Sequence, residues 1–145
     1  MKILVGVPLA FDDKLNEEFE RKVHALGENI EIYVVQDTKE ESIKGDKIYR
    51  IMLAREKIRE YFLSKDFSHL MFIDADISFP EDILSKFLSY DADFIYHGYN
   101  ARFGDKIVLA GFGCALIRRN VVEQISFIDE NICDKVNMVQ KMSYF

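Results

Sequence analysis

The sequence predicts an open α/β sheet of mostly parallel strands with helices on both faces. Three observations predict it. Short apolar runs alternate with segments of helical period, in the order strand, helix, strand, helix, strand, helix, strand. Ile3 to Val7 and Leu70 to Ile73 are apolar at nearly every position, the mark of strands buried on both faces. With 145 residues, 49% of them hydrophobic and 30% charged, the chain suits one globular domain spanning 1–145 with a sizeable core.

The first strand, Ile3 to Val7, is β-branched and ends at Pro8. Asp12 and Asp13 offer an N-cap, Leu15, Phe19, Val23 and Leu26 recur at helical spacing, and Gly27 suits a left-handed C-terminal position. Ile30 to Val35 forms the second strand, ending at Gln36-Asp37-Thr38. Lys39 to Lys47, polar and containing Gly45, reads as an exposed loop. From Tyr49 to Leu63 a helix places Ile51, Ile58 and Phe62 on one face. The third strand, Leu70 to Ile73, runs into Asp74-Ala75-Asp76. Ser78-Phe79-Pro80-Glu81 has the pattern of a capping box before a helix with Ile83, Leu84, Phe87 and Leu88 inward. Phe94 to His97, Ile107 to Ala110 and Cys114 to Ile117 read as strands, and Asn120 to Glu123 as a helix start.

Composition excludes several functions. A net charge of −6 opposes bulk attraction to nucleic acid or to anionic membranes, so an anionic ligand must be met by local cations. Cys114 and Cys133 are too few for a disulfide scaffold and lack zinc-site spacing, which favours a reducing, cytoplasmic setting. No apolar stretch reaches the ~20 residues of a membrane span, and the N-terminus lacks a signal-peptide pattern.

In an open α/β sheet, ligands bind beyond the carboxyl ends of the strands, a rule that gathers Pro8, Asp37 and Asp74 to Asp76. Asp74 and Asp76, two residues apart at a strand end, suit a hard divalent cation, Mn²⁺ or Mg²⁺, completed by water and substrate phosphate. As plain loop and capping acids they would need no ligand. Arg55 falls on the apolar stripe of its helix and must meet either a carboxylate such as Asp37 or Asp74, or an anionic ligand. Arg50, on the flank, reads as solvated. Arg102, in a loop after an aromatic run, is either a diphosphate contact or simply exposed. Gly111 and Gly113 permit close backbone approach by a ligand, or a bare turn.

The stretch LAREKIREYFLSKDFSHLMFIDADISFPEDILSKFL, followed by DFIYHGYNAR and GFGCALIRRNVVEQI, resembles the small glycosyltransferases of the GT-A fold, close to glycosyltransferase family 2 and its archaeal and viral relatives. The resemblance covers roughly Met1 to Ile125 and implies a Rossmann-like domain of the nucleotide-diphospho-sugar transferase type with a short or missing acceptor region. It implies a nucleoside diphosphate sugar donor lying against Pro8, Leu9 and Asp37. It makes Asp76 the direct metal ligand and Asp74 a ribose or water-mediated contact; of the residues read above, Arg55 is the candidate for the nucleotide and Arg102, Gly111 and Gly113 for the diphosphate or acceptor. Asp129 and Glu130 stand nearest to the family's catalytic acids, in reversed order.

FIDADIS also resembles the nucleophile loop of haloacid-dehalogenase phosphatases, and a catalytically inactive nucleotide-binding module is the other alternative. The ending Lys141 to Phe145 leaves Met142, Tyr144 and Phe145 with little chain to cover them, which predicts a homodimer.

Overall fold

A computed structural model describes residues 1–44, 47–97, 99–103, 106–110, 113–128 and 142–144. In chain order these form β1 (Ile3–Leu9), α1 (Glu17–His24), β2 (Ile30–Gln36), α2 (Lys39–Lys44), α3 (Lys47–Leu63), β3 (His69–Ile73), α4 (Ile83–Ser89) and β4 (Phe94–Tyr96). They continue with β5 (Tyr99–Phe103), β6 (Lys106–Ala110), β7 (Cys114–Arg118), α5 (Arg119–Val122) and β8 (Met142–Tyr144). The main sheet has six strands in the order β2-β1-β3-β7-β4-β8. β2, β1 and β3 are parallel, β7 runs against both β3 and β4, and β8 is parallel to β4, so only β7 is reversed. The sheet is mostly parallel, as expected, with one antiparallel insertion.

Strict alternation along the strands divides the interior in two. Ile3, Val5, Val7, Met71, Ile73, Ile95 and Leu116 face α1 and α4, meeting Phe19, Val23, Ile83, Leu84 and Phe87. Leu4, Leu70, Phe72, Phe94, Ala115 and Ile117 face α3 and α5, meeting Ile58, Phe62, Val121 and Val122. Both faces of the central strands are thus buried, which is why β1 and β3 read as continuous apolar runs.

Several local expectations are corrected. The segment after β2 is not wholly a loop, because Thr38 Oγ1 accepts the Glu41 N–H at 3.1 Å and starts helix α2. The first helix is capped by Asn16, whose Oδ1 accepts the Glu18 N–H at 2.8 Å, and ends on Ala25 in a right-handed conformation, so neither Asp12, Asp13 nor Gly27 caps it. The capping box at Ser78 is not formed: α4 begins at Ile83 after Asp82, which makes no side-chain cap bond. Phe79 explains the delay, since it is drawn into the core edge-on to Phe19 at 5.9 Å. Arg102 lies in strand β5 rather than a loop, and β5 pairs with β6 as a separate antiparallel hairpin, so Ile107 to Ala110 does not extend the main sheet. The terminal residues 142–144 form β8 on the edge of β4.

Helix α3 lies unusually close to the sheet. A Cβ on Gly6 would come within 2.5 Å of Ile58 Cγ2. Gly6→Ala should therefore cost about 1–3 kcal/mol through overpacking. Chemical denaturation checks this, and in the double variant Gly6→Ala/Ile58→Ala the loss should be smaller than the sum of the two single losses.

Candidate functional site

Because β1, β2, β3 and β4 run the same way, their carboxyl ends meet at one edge, and the reversed strand β7 begins there. A cavity of about 470 Å³ opens at that edge. The β1 end contributes Pro8, Leu9 and Ala10 with Asp13 and Lys14 beyond them, and β2 contributes Asp37. Helix α3 adds Arg50, Ile51 and Ala54, and β3 adds Asp74, Ala75 and Asp76. The topological rule thus gathers Pro8, Asp37 and Asp74 to Asp76 as expected, and Leu9 lies with them.

Each wall has a local cause. The Asp74 N–H donates to the Gly113 carbonyl at 2.8 Å and the Ile77 N–H closes back on the Asp74 carbonyl at 3.1 Å, so the strand turns sharply where the two carboxylates emerge. Asp76 is exposed, whereas Asp74 is half-buried and receives Arg55 Nη2 at 3.3 Å. Arg55 lies behind Asp74, with its guanidinium 5.7 Å from the Phe72 ring centroid. Gly113, buried, serves here as the backbone acceptor for Asp74. Gly111, Asp129 and Glu130 lie outside the described residues.

Arg50 corrects the sequence reading. It is not a solvated flank residue: only 21% of its side chain is exposed, and Nη1 lies 3.6 Å from Asp37 Oδ2, itself 12% exposed. Its Nε is buried with no hydrogen-bond partner among the described residues, beside the cavity. Gln36 was also missed. Its side-chain amide donates to the carbonyls of Ala10, Phe11 and Asp13 at 2.9, 3.2 and 2.7 Å, pinning the loop that forms one wall. The only sequence signal for either is position, at a strand end and one turn into a helix.

Burial raises the pKa of both partnered acids. In Asp37 it outweighs the pull of Arg50, and in Asp74 it outweighs Arg55 and is reinforced by Asp76. The Cys114 thiol, buried next to this edge, is pushed up to about 12 by burial and by Asp74, so it stays protonated and unreactive at neutral pH. Asp74 and Asp76 both line the cavity at the end of β3, and no group of three His, Cys, Asp or Glu side chains with metal-holding geometry occurs among the described residues. Two carboxylates with room for water and phosphate oxygens fit Mg²⁺ or Mn²⁺ and do not fit a closed structural site.

Two outcomes test this geometry. Gln36→Ala should lower stability by about 1 kcal/mol and speed hydrogen exchange at the Asp13 amide, which is bonded to the Ala10 carbonyl at 3.1 Å. Exchange rates unchanged at residues 10–13 would show that the amide does not hold the loop. Asp74, with a native pKa above its ordinary 3.8, retains a proton that the unfolded chain has released. Its contribution to stability is full below the unfolded pKa and is lost as pH rises through the native one. Asp74→Asn should therefore gain on the parent protein as pH is raised from about 4 to 7. Urea unfolding across that range would give parallel curves if Asp74 were unperturbed.

No family model matches the chain, and no curated protein matches it. Solved structures do. A protein from STIV aligns over 100% of this chain and 82% of its own, with TM-score 0.62 and 15% identity. The bifunctional IspDF from Campylobacter jejuni aligns over 100% of this chain at TM-score 0.60 and 11% identity, and the chain spans 49% of it. A glycosyltransferase involved in glycosylation of the major capsid of PBCV-1 aligns over 85% of this chain and 63% of its own, at TM-score 0.52 and 15% identity. A protein from Desulfovibrio desulfuricans described as a nucleotide-diphospho-sugar transferase aligns over 100% and 80%, at TM-score 0.51 and 11% identity. Identities this low speak to architecture alone, and the architecture is the nucleotide-diphospho-sugar transferase fold, of the GT-A type that the motifs resemble.

Proposed function

We propose that the chain is a metal-dependent glycosyltransferase that moves a sugar from a nucleoside diphosphate sugar to an acceptor hydroxyl. The observation that carries this reading is the cavity at the carboxyl edge of the sheet, where Asp74 and Asp76 face Asp37 and Arg50, whose Nε lacks a partner. A buried donor beside a cavity is satisfied when a ligand brings an acceptor to it. Four carboxylates, Asp13, Asp37, Asp74 and Asp76, line this cavity against two cations, Lys14 and Arg50. A diphosphate entering such a field needs a divalent cation to offset repulsion.

In this reading Pro8, Leu9 and Asp37 lie against the nucleoside. Asp76, exposed and without an ion-pair partner among the described residues, is the primary metal ligand; Asp74, steadied by Arg55 and the Gly113 carbonyl, is the ribose or water-mediated contact. A bound Mn²⁺ or Mg²⁺ would stabilise charge on the departing diphosphate. The acceptor oxygen bonds to the anomeric carbon, the carbon–oxygen bond to the diphosphate breaks, and the hydroxyl proton passes to a base, for which we assign Glu130 or Asp129. Arg102, Gly111 and Gly113 belong to the diphosphate or acceptor side. The dehalogenase-type phosphatase alternative is not favoured by the transferase neighbours. No described helix is long and apolar enough to cross a membrane.

Asp76→Ala should abolish Mn²⁺-dependent binding of UDP or GDP while leaving the melting temperature nearly unchanged, because an exposed carboxylate contributes little to folding. Calorimetric titration with and without metal checks this, and unchanged affinity would remove Asp76 from the site. Hydrolysis of a panel of nucleoside diphosphate sugars with Mn²⁺ tests the activity itself. Binding without turnover of any donor would identify an inactive nucleotide-binding module.

A further inference from the structure

We propose that the outer edge of β2 is an interface at which a second copy of this chain continues the sheet. β2 ends the six-stranded sheet. The Asn29 carbonyl accepts the Ile3 N–H at 2.9 Å, and at the far end the Asp37 N–H donates to the Leu9 carbonyl at 3.1 Å. In a parallel ladder alternate residues bond the neighbour, so the odd-numbered positions of β2 bond to β1, while the N–H and C=O groups of Ile30, Ile32, Val34 and Gln36 point outward. Backbone groups in that position are a ready template for pairing with another strand. A cavity of about 740 Å³ lies along this edge, with Ile30, Ile32 and Val34 in its wall beside Lys2, Glu20 and Glu28.

Exposed edge strands usually carry a device against pairing: a proline, a lysine, a bulge, or brevity. β2 carries none of these. It has seven residues, IEIYVVQ, paired to β1 in unbroken register from Ile30 to Gln36. Its one charge, Glu31, is already engaged by Lys2 at 3.8 Å and by the Tyr61 hydroxyl.

The occupant is a second copy because β2 is complementary to itself. An antiparallel arrangement about a two-fold axis at Tyr33 sets Ile30 opposite Gln36 of the partner subunit and Ile32 opposite Val34 of the partner subunit. These are the residues whose backbone groups point outward. Glu31 then faces Val35 of the partner subunit, so no like charges oppose each other within the paired strands. Ile30, Ile32 and Val34, only partly buried against the α1 face of the core, gain cover from the same residues of the other copy.

Sedimentation of the full chain at tens of micromolar should give twice the 17.0 kDa monomer mass. Val34→Pro removes an outward N–H and leaves the β1 ladder intact, so a folded monomer is expected. Tyr33→Cys in a Cys133→Ser background should cross-link to itself on oxidation, since directly opposed non-hydrogen-bonded residues lie about 4.5 Å apart, within disulfide reach. A parent protein that sediments as a monomer overturns the proposal. So does a dimer that survives folded Val34→Pro, and, should that variant fail to fold, a dimer in which Tyr33→Cys does not cross-link.

Discussion

The seating of α3 on β1 governs the geometry of the site. Gly6 leaves no Cβ between strand and helix, and Ile58 occupies the space that a side chain would need. That contact sets the distance between helix and sheet. Arg50 and Arg55, on the N-terminal half of the same helix, can then reach down to Asp37 at the end of β2 and Asp74 at the end of β3. A helix held farther out would leave two half-buried carboxylates without cations, at a cost of several kcal/mol apiece. Packing in the α3-side core thus sets electrostatics at the carboxyl edge.

The two arginine–carboxylate pairs are not equivalent. Arg55 holds Asp74 from behind with a hydrogen bond at 3.3 Å and is not among the residues lining the cavity. Arg50 sits in the cavity wall, and its 3.6 Å approach to Asp37 is an ion pair without a hydrogen bond, with Nε still unsatisfied. The first pair fixes a carboxylate in one orientation. The second is distinguished by its place in the cavity wall. In a chain of net charge −6, Arg50 and Lys14 are the cations among the residues that line this cavity.

How much of this was legible in the sequence depends on whether the cause was local. Burial on both faces writes itself into β1 and β3 as unbroken apolar runs, and a charge on an apolar stripe marked Arg55 without any knowledge of Asp74. The acids after β3 were legible for the same reason. Arg50 was not, because its distance to Asp37 depends on where α3 starts and how it docks, and both are tertiary. Gln36 was hidden likewise, since its three carbonyl partners lie 23 to 26 residues away. The direction of β7 was invisible too: CALIR reads the same whichever way its neighbours run, and only its pairing with β3 from Ile73↔Cys114 to His69↔Arg118 shows it reversed. Thr38 was the local signal for α2, overlooked because the six residues after it are almost entirely polar.

That reversal does chemical work. A parallel strand beside β3 would arrive at the carboxyl edge with its own C-terminus, adding one more loop leaving the site. β7 instead enters the sheet there, and the Gly113 carbonyl just before it caps the Asp74 N–H at the moment the chain turns. On the far side of β7 the His97 N–H likewise donates to the Cys114 carbonyl at 2.9 Å, tying the end of β4 to the same point. The carboxylate pair therefore projects from backbone fixed on both flanks. Under the proposed function, fixed backbone with one exposed acid, Asp76, and one restrained acid, Asp74, would let a ligand bind with little reorganisation, which would lower the cost of capture.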